Sequence, residues 1–209
     1  AVTSVIIVPQ GEFVAYGALT LASLQLGKVP GTAWLLLIAG VIIAVMDTAI
    51  ALRARRPRRL PGIFGWNLVL PLGLFAAAWW IAPTQPALWL QVLLAFALVI
   101  PLGPMVYRLA FQPLANASVL VLLIVSVAVH FAMLGLGLVF FGAEGSRTPA
   151  FTDARFEAGK VAVSGQSLFV IAASAVLIVL LWLFFEKTLY GKALRATAVN
   201  RLGARLVGI

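Results

Sequence analysis

Glu12, Asp47 and His130 are ionisable side chains set within or at the edge of long apolar stretches. A charge in an apolar setting is costly, so such residues mark solute paths, ion coupling or proton relays by default. Each also has a plainer reading. Asp47 lies about one and a half turns before Leu52, within reach of Arg53 or Arg55 as an ion-pair partner. His130, among Val, Phe and Met, reads as a neutral imidazole bonded to a neighbouring helix. A proton relay would need a second titratable group, and none is adjacent in sequence. Glu12 follows Pro9-Gln10-Gly11, where a helix break would leave free backbone groups facing a cavity. Pro71 with Gly73, and Pro101 with Gly103 and Pro104, interrupt two further runs. Prolines free carbonyls and kink helices, and broken helices line transport paths, although membrane helices also tolerate Pro and Gly and pack through small residues. The candidates for a translocation path are Gly11, Glu12, Asp47, Pro71, Pro101 and His130.

Nothing in the sequence composes a catalytic set. One histidine, no cysteine and six scattered carboxylates make neither a triad nor a metal cluster. No GxxxxGK[ST] loop is present, so this chain does not bind ATP by a P-loop. No catalytic, metal-binding or cofactor-binding residue is expected.

The elements that must position these residues follow from composition. Hydrophobic residues make up 63% of the 209 positions and charged residues 10%, with a mean hydropathy of +1.11. Soluble domains are nearer half apolar and a quarter charged. Apolar runs cover residues 12–26, 32–52, 63–82, 87–107, 119–141 and 167–185. Most suit a bilayer crossing. They do not alternate in polarity as barrel strands do, and helices satisfy their own backbone in lipid. The expected fold is all-α: a polytopic transmembrane helical bundle of about six spans. The first run is the shortest, with Pro9 a kink or break beside it.

A net charge of +9 would suggest nucleic acid in a soluble protein. Here the charges sort by side instead. With six spans, Arg53, Arg55, Arg56, Arg58, Arg59, Arg108, Lys187, Lys192, Arg195, Arg201 and Arg205 share one face, and Lys28, Arg147, Arg155 and Lys160 the other. The positive-inside rule places the larger group in the cytoplasm, and no nucleic-acid partner is expected. Trp79, Trp80 and Trp89 flank an outer link as an interfacial belt. The polar outer loop, 142–166, has the pattern of a small hairpin around Gly159. It serves either as a solvated cap or as a docking surface for an extracytoplasmic partner.

The end of the chain is basic and too polar for lipid. Residues 188–200 read TLYGKALRATAVN, and 203–209 read GARLVGI. These stretches resemble the cytoplasmic loop of the branched-chain amino-acid ABC permease family, a TxxGxALRATAxN segment leading into an AAxxxGI coupling helix. FGAEGSR at 141–147 is similar to the family's FGPE-type outer loop. Gly11-Glu12-Phe13 with Tyr16-Gly17-Ala18 resembles its HGEFYMLGAY-like helix entry, and 108–114 its ERxxxRPL link. Leu202 and Gly203 stand where the general motif has Glu and Ala, Gln10 where it has His, and Tyr107 where it has Glu.

The resemblance implies a permease subunit of an ATP-binding-cassette importer in the bacterial plasma membrane. It would move branched-chain or other hydrophobic amino acids, or a related small solute, into the cytoplasm. Its partners would be ATPase subunits, a second permease subunit and an extracytoplasmic solute-binding protein, in a lipid bilayer. ATP would be used by the partners, and no cofactor bound by this chain. Gly203, Ala204, Gly208 and Ile209 would form the ATPase-coupling segment, with Ala204 and Gly208 on one helix face. The implied organisation is a bundle over 1–185 and a coupling loop over 186–209. Family members continue into further spans, which implies a fragment or truncated product here. Two readings stand beside this one: a gradient-driven secondary transporter or channel, and, for the tail alone, a basic amphipathic helix on anionic lipid.

Overall fold

The computed structural model describes residues 7–53, 64–115, 117–146, 148, 154–158 and 161–206. The chain divides into two compact units, Ile6–Thr148 and Pro149–Ile209 taken with Ala1–Val5. This division falls before the outer hairpin.

The first unit is helical. It comprises α1 (Gln10–Gln25), α2 (Gly31–Arg53), a π-helical turn (Gly65–Val69) leading into α3 (Leu70–Ile81), α4 (Leu88–Val99), and α5 (Leu102–Val106). A second π turn (Tyr107–Phe111) and a 3-10 turn (Gln112–Leu114) extend α5, and α6 (Val119–Phe141) completes the unit. Its core runs from Leu24, Ala33 and Leu36 through Ile43 and Leu98 to Met105 and Met133. The outward faces stay apolar, with Trp80, Trp89 and Val139 largely exposed, as lipid contact requires.

Five helical stretches are long and apolar enough to span a bilayer: Gly31–Arg53, Gly65–Thr84, Leu88–Leu114, Val119–Phe141 and Gly165–Lys187. The chain is thus an all-α polytopic bundle. The first apolar run is the exception among the six, because α1 has only 16 residues, about 24 Å at the ordinary rise. Its placement explains the shortfall. The Val8 N–H donates to Ser126 Oγ at 2.8 Å, and the Tyr16 hydroxyl donates to the Met133 carbonyl at 2.5 Å. So α1 runs parallel to α6 and begins level with its middle, with Pro9 at its N-cap and Gln10 and Gly11 already in its first turn. The far end of α1 closes in a Schellman turn. The Lys28 N–H bonds the Ser23 carbonyl at 3.0 Å, and Gly27 at φ 70° takes the left-handed position. Buried Thr20 and Thr32 share a 2.8 Å hydrogen bond that ties α1 to α2.

Proline accounts for the first π turn. Pro71 has no N–H for the Asn67 carbonyl, and its ring crowds that carbonyl; the helix widens immediately before it, with the Leu70 N–H bonding Gly65 instead. Gly40 of α2 faces the freed Asn67 carbonyl so closely that a Cβ would overlap it.

In the second unit, β1 (Arg155–Ala158) and β2 (Val161–Ser164) pair antiparallel, Arg155 opposite Ser164 and Ala158 opposite Val161. The expected hairpin forms, and Gly159 and Lys160 between its strands lie outside the described residues. Ser164 caps α7 (Gly165–Lys187) by accepting from the Ser167 N–H at 3.2 Å. Thr188 caps α8 (Leu189–Val199) by accepting from the Gly191 N–H at 3.0 Å. Gly191 sits against the Phe184 carbonyl, where no side chain fits. Asn200 starts α9 (Arg201–Leu206), its Oδ1 accepting from the Gly203 N–H at 2.9 Å.

Candidate functional site

Asp47 is the centre of the best-built polar cluster. It lies on α2, six residues before its end at Arg53. Arg108 reaches it as a fork, with Nη2 to Oδ2 at 2.8 Å and Nε to Oδ1 at 3.3 Å. Asn67 Nδ2 donates to Oδ2 at 3.2 Å. The Asp47 side chain is 10% exposed and that of Arg108 43%. A forked, charge-assisted pair of this kind is strong and directional. Both partners stand on π turns, Asn67 on the one before Pro71 and Arg108 on the one after Pro104. Such turns re-aim side chains and concentrate at functional sites.

This arrangement corrects the expected partner of Asp47. The ion pair bridges to Arg108, 61 residues away, and not to Arg53 on its own helix. Arg55 lies outside the described residues. Beside the pair opens a recess of about 290 Å³ lined by Ile43, Met46, Asp47, Ile50, Arg108, Leu109, Gln112 and Pro113.

A second cluster joins the first turn of α1 to the middle of α6. His130 Nδ1 lies 2.6 Å from Glu12 Oε1, with the side chains 32% and 12% exposed. The approach is not aligned as a hydrogen bond, and the carboxylate's other oxygen, Oε2, is buried without one. The second titratable group that a relay requires is therefore present, supplied by another helix. Removing the imidazole strands the carboxylate. We expect His130→Ala to lower stability by about 2 kcal/mol, and Glu12→Gln in the same chain to restore most of it. Thermal unfolding in detergent reads both. Coincident melting of His130→Ala and the unaltered chain would show that the contact contributes nothing.

The other path candidates fall around these two clusters. Gly11 is exposed in the first turn of α1, with open space where a Cβ would stand. Pro71 is buried against α2 near Gly40. Pro101 sits at the junction of α4 and α5, ahead of the turn that carries Arg108. In the tail, Gly203 is held in the first turn of α9 and Ala204 is buried. Gly208 and Ile209 lie outside the described residues.

Sequence reasoning missed Asn67 and did not join Arg108 to Asp47. A signal for Asn67 existed: an amide in an apolar run four residues before a proline sits where a helix must widen. Arg108 enters the sequence reading as a charge that sorts by side and as the start of the link at 108–114, not as the partner of Asp47.

No curated protein and no solved structure matches the chain. A family model does, that of the branched-chain amino acid transport system permease component, over residues 62–209. The matched region includes Asn67, Arg108, His130 and the α8–α9 tail. With five membrane-length helices and a match over most of its length, the chain is a multi-pass membrane protein that belongs to the branched-chain amino acid transport permease family.

Proposed function

We propose that the chain is the membrane-spanning subunit of an ATP-driven importer in the bacterial plasma membrane, carrying branched-chain or other hydrophobic amino acids inward. The observation that carries this reading is the family match, whose bounds, residues 62–209, include the basic tail. ATP hydrolysis resides in separate ATPase subunits, a second permease completes the pathway, and an extracytoplasmic binding protein delivers the solute. This chain itself holds no cofactor. The membrane bundle extends over 1–185, and the tail from 186 receives the ATPase's motion through Gly203, Ala204, Gly208 and Ile209. That motion biases the bundle between outward- and inward-open states. Gly11, Glu12, His130, Asp47, Pro71 and Pro101 mark the solute's path.

The test is ATP-dependent amino-acid uptake in vesicles holding the complete transporter. Gly208→Trp should abolish uptake while leaving membrane insertion unchanged, because a bulky side chain blocks the partner's close approach. Normal uptake by that variant, or failure of an ATPase subunit to co-purify in mild detergent, would remove the coupling role. The Glu12–His130 pair favours a second reading, a gradient-driven transporter. Uptake that persists without ATP and collapses with the proton gradient would select it.

A further inference from the structure

The recess beside Asp47 and Arg108 combines two features that neither cluster chemistry nor packing requires together. Its walls are apolar, formed chiefly by Ile43, Met46, Ile50 and Leu109, while its polar edge carries one negative and one positive side chain. We infer that it is a binding site for one free α-amino acid with an apolar side chain, in the cytoplasmic half of the membrane. The inference rests on the permease reading above and names where, and by what chemistry, the solute is held.

Charge balance selects the zwitterion. Asp47 and Arg108 form a net-neutral pair, and a zwitterion is also net neutral. Its carboxylate bonds the guanidinium and its ammonium the aspartate, so no uncompensated charge enters the low-dielectric region. A simple acid or a simple amine of the same shape would leave one charge unmatched, which is costly there. Arg108 spends Nε and Nη2 on Asp47, and Nη1 has no partner among the described residues. Nearly half the side chain remains exposed, leaving that edge open to a carboxylate. The Gln112 amide at the rim adds a neutral donor and acceptor. A volume of about 290 Å³ lies just below the usual range for small-molecule sites, roughly 300–1,000 Å³, and suits one small solute. Asp47 and Arg108 each lie six residues from the inner ends of their stretches, Arg53 and Leu114. At the ordinary rise that is about 9 Å inside, the depth of a release site on the cytoplasmic side.

The experiment measures radiolabelled leucine binding to the membrane complex of permease and ATPase, with no binding protein added. Unlabelled 3-methylbutylamine and 4-methylpentanoate, each lacking one of leucine's charges, serve as competitors. Leucine should bind, and both analogues should compete at least tenfold less well than leucine itself. Leu109→Trp, which fills the recess, should weaken leucine binding at least tenfold while weakening alanine binding no more than threefold. Should that variant fail to assemble, Ile50→Phe gives the same readout. Equal competition by leucine and the two analogues overturns the inference, as does a filled recess that binds leucine as the unaltered protein does. Leucine binding lost on filling the recess, in a complex whose uptake proves independent of ATP, would sustain the site and sink the importer reading. ATP-driven leucine uptake untouched by the filled recess would do the reverse.

Discussion

Arg108→Ala is expected to destabilise the protein by about 2–3 kcal/mol and to abolish transport. Removing one member of a buried ion pair typically costs about 3–5 kcal/mol, because the remaining charge stays buried without its partner. Arg108 is nearly half exposed, so solvent screening takes the value below that range. Asn67 alone then faces the Asp47 carboxylate, through a 3.2 Å hydrogen bond. The double variant Asp47→Asn with Arg108→Gln removes both charges and keeps side chains of similar reach. Its stability should return to within about 1 kcal/mol of the unaltered protein, since the two changes are strongly coupled. Its leucine binding should not return. Reversible unfolding in mixed micelles measures the first quantity, and the competition assay the second. An Arg108→Ala protein that unfolds with the unaltered one would show that the pair does not lock α2 to the turn at 107–111.

The other large effect belongs to Gly40. Its missing side chain leaves room for the Asn67 carbonyl, which Pro71 deprives of a helical partner. A Cβ at position 40 would overlap that oxygen and stand 3.1 Å from Pro71 Cγ. Neither neighbour can move easily, one being backbone and the other a closed ring. Gly40→Val should therefore push α2 away from residues 65–71, cost about 3 kcal/mol, at the upper end of overpacking penalties, and break the Asn67–Asp47 hydrogen bond. Gly73→Ala is the matched control, because nothing lies within 4 Å of the added Cβ. It should cost no stability. Melting temperatures and yields of the two variants, compared side by side, decide the point. Equal behaviour would mean that the close approach of α2 to the π turn is not required.

Much of the bundle was legible in residue order. The five membrane-length helices, the outer hairpin at 155–164 and the short paired helices of the tail all follow from local pattern. Their physical basis is additive. Lipid solubility of a span is a sum over its own residues, and backbone satisfaction within a helix or a hairpin needs only near neighbours. The prolines at 71 and 101 likewise announced interruptions, since a missing N–H is a local defect.

The pairing of polar groups was not legible, and neither was the register of α1 against α6. Asp47 has arginines close behind it in sequence, yet bonds Arg108 on a distant helix. His130 has no titratable neighbour in sequence, yet meets Glu12 across 118 residues. Which side chains meet depends on how far each helix is rotated and shifted against its neighbours. Small residues such as Gly40, and widened turns such as 65–69 and 107–111, set that rotation. Composition determined that this chain crosses a membrane, and its proline positions determined where the helices are interrupted. Only the tertiary structure decided that Asp47, Asn67 and Arg108 form one site, because a one-turn shift of any of the three helices would separate them.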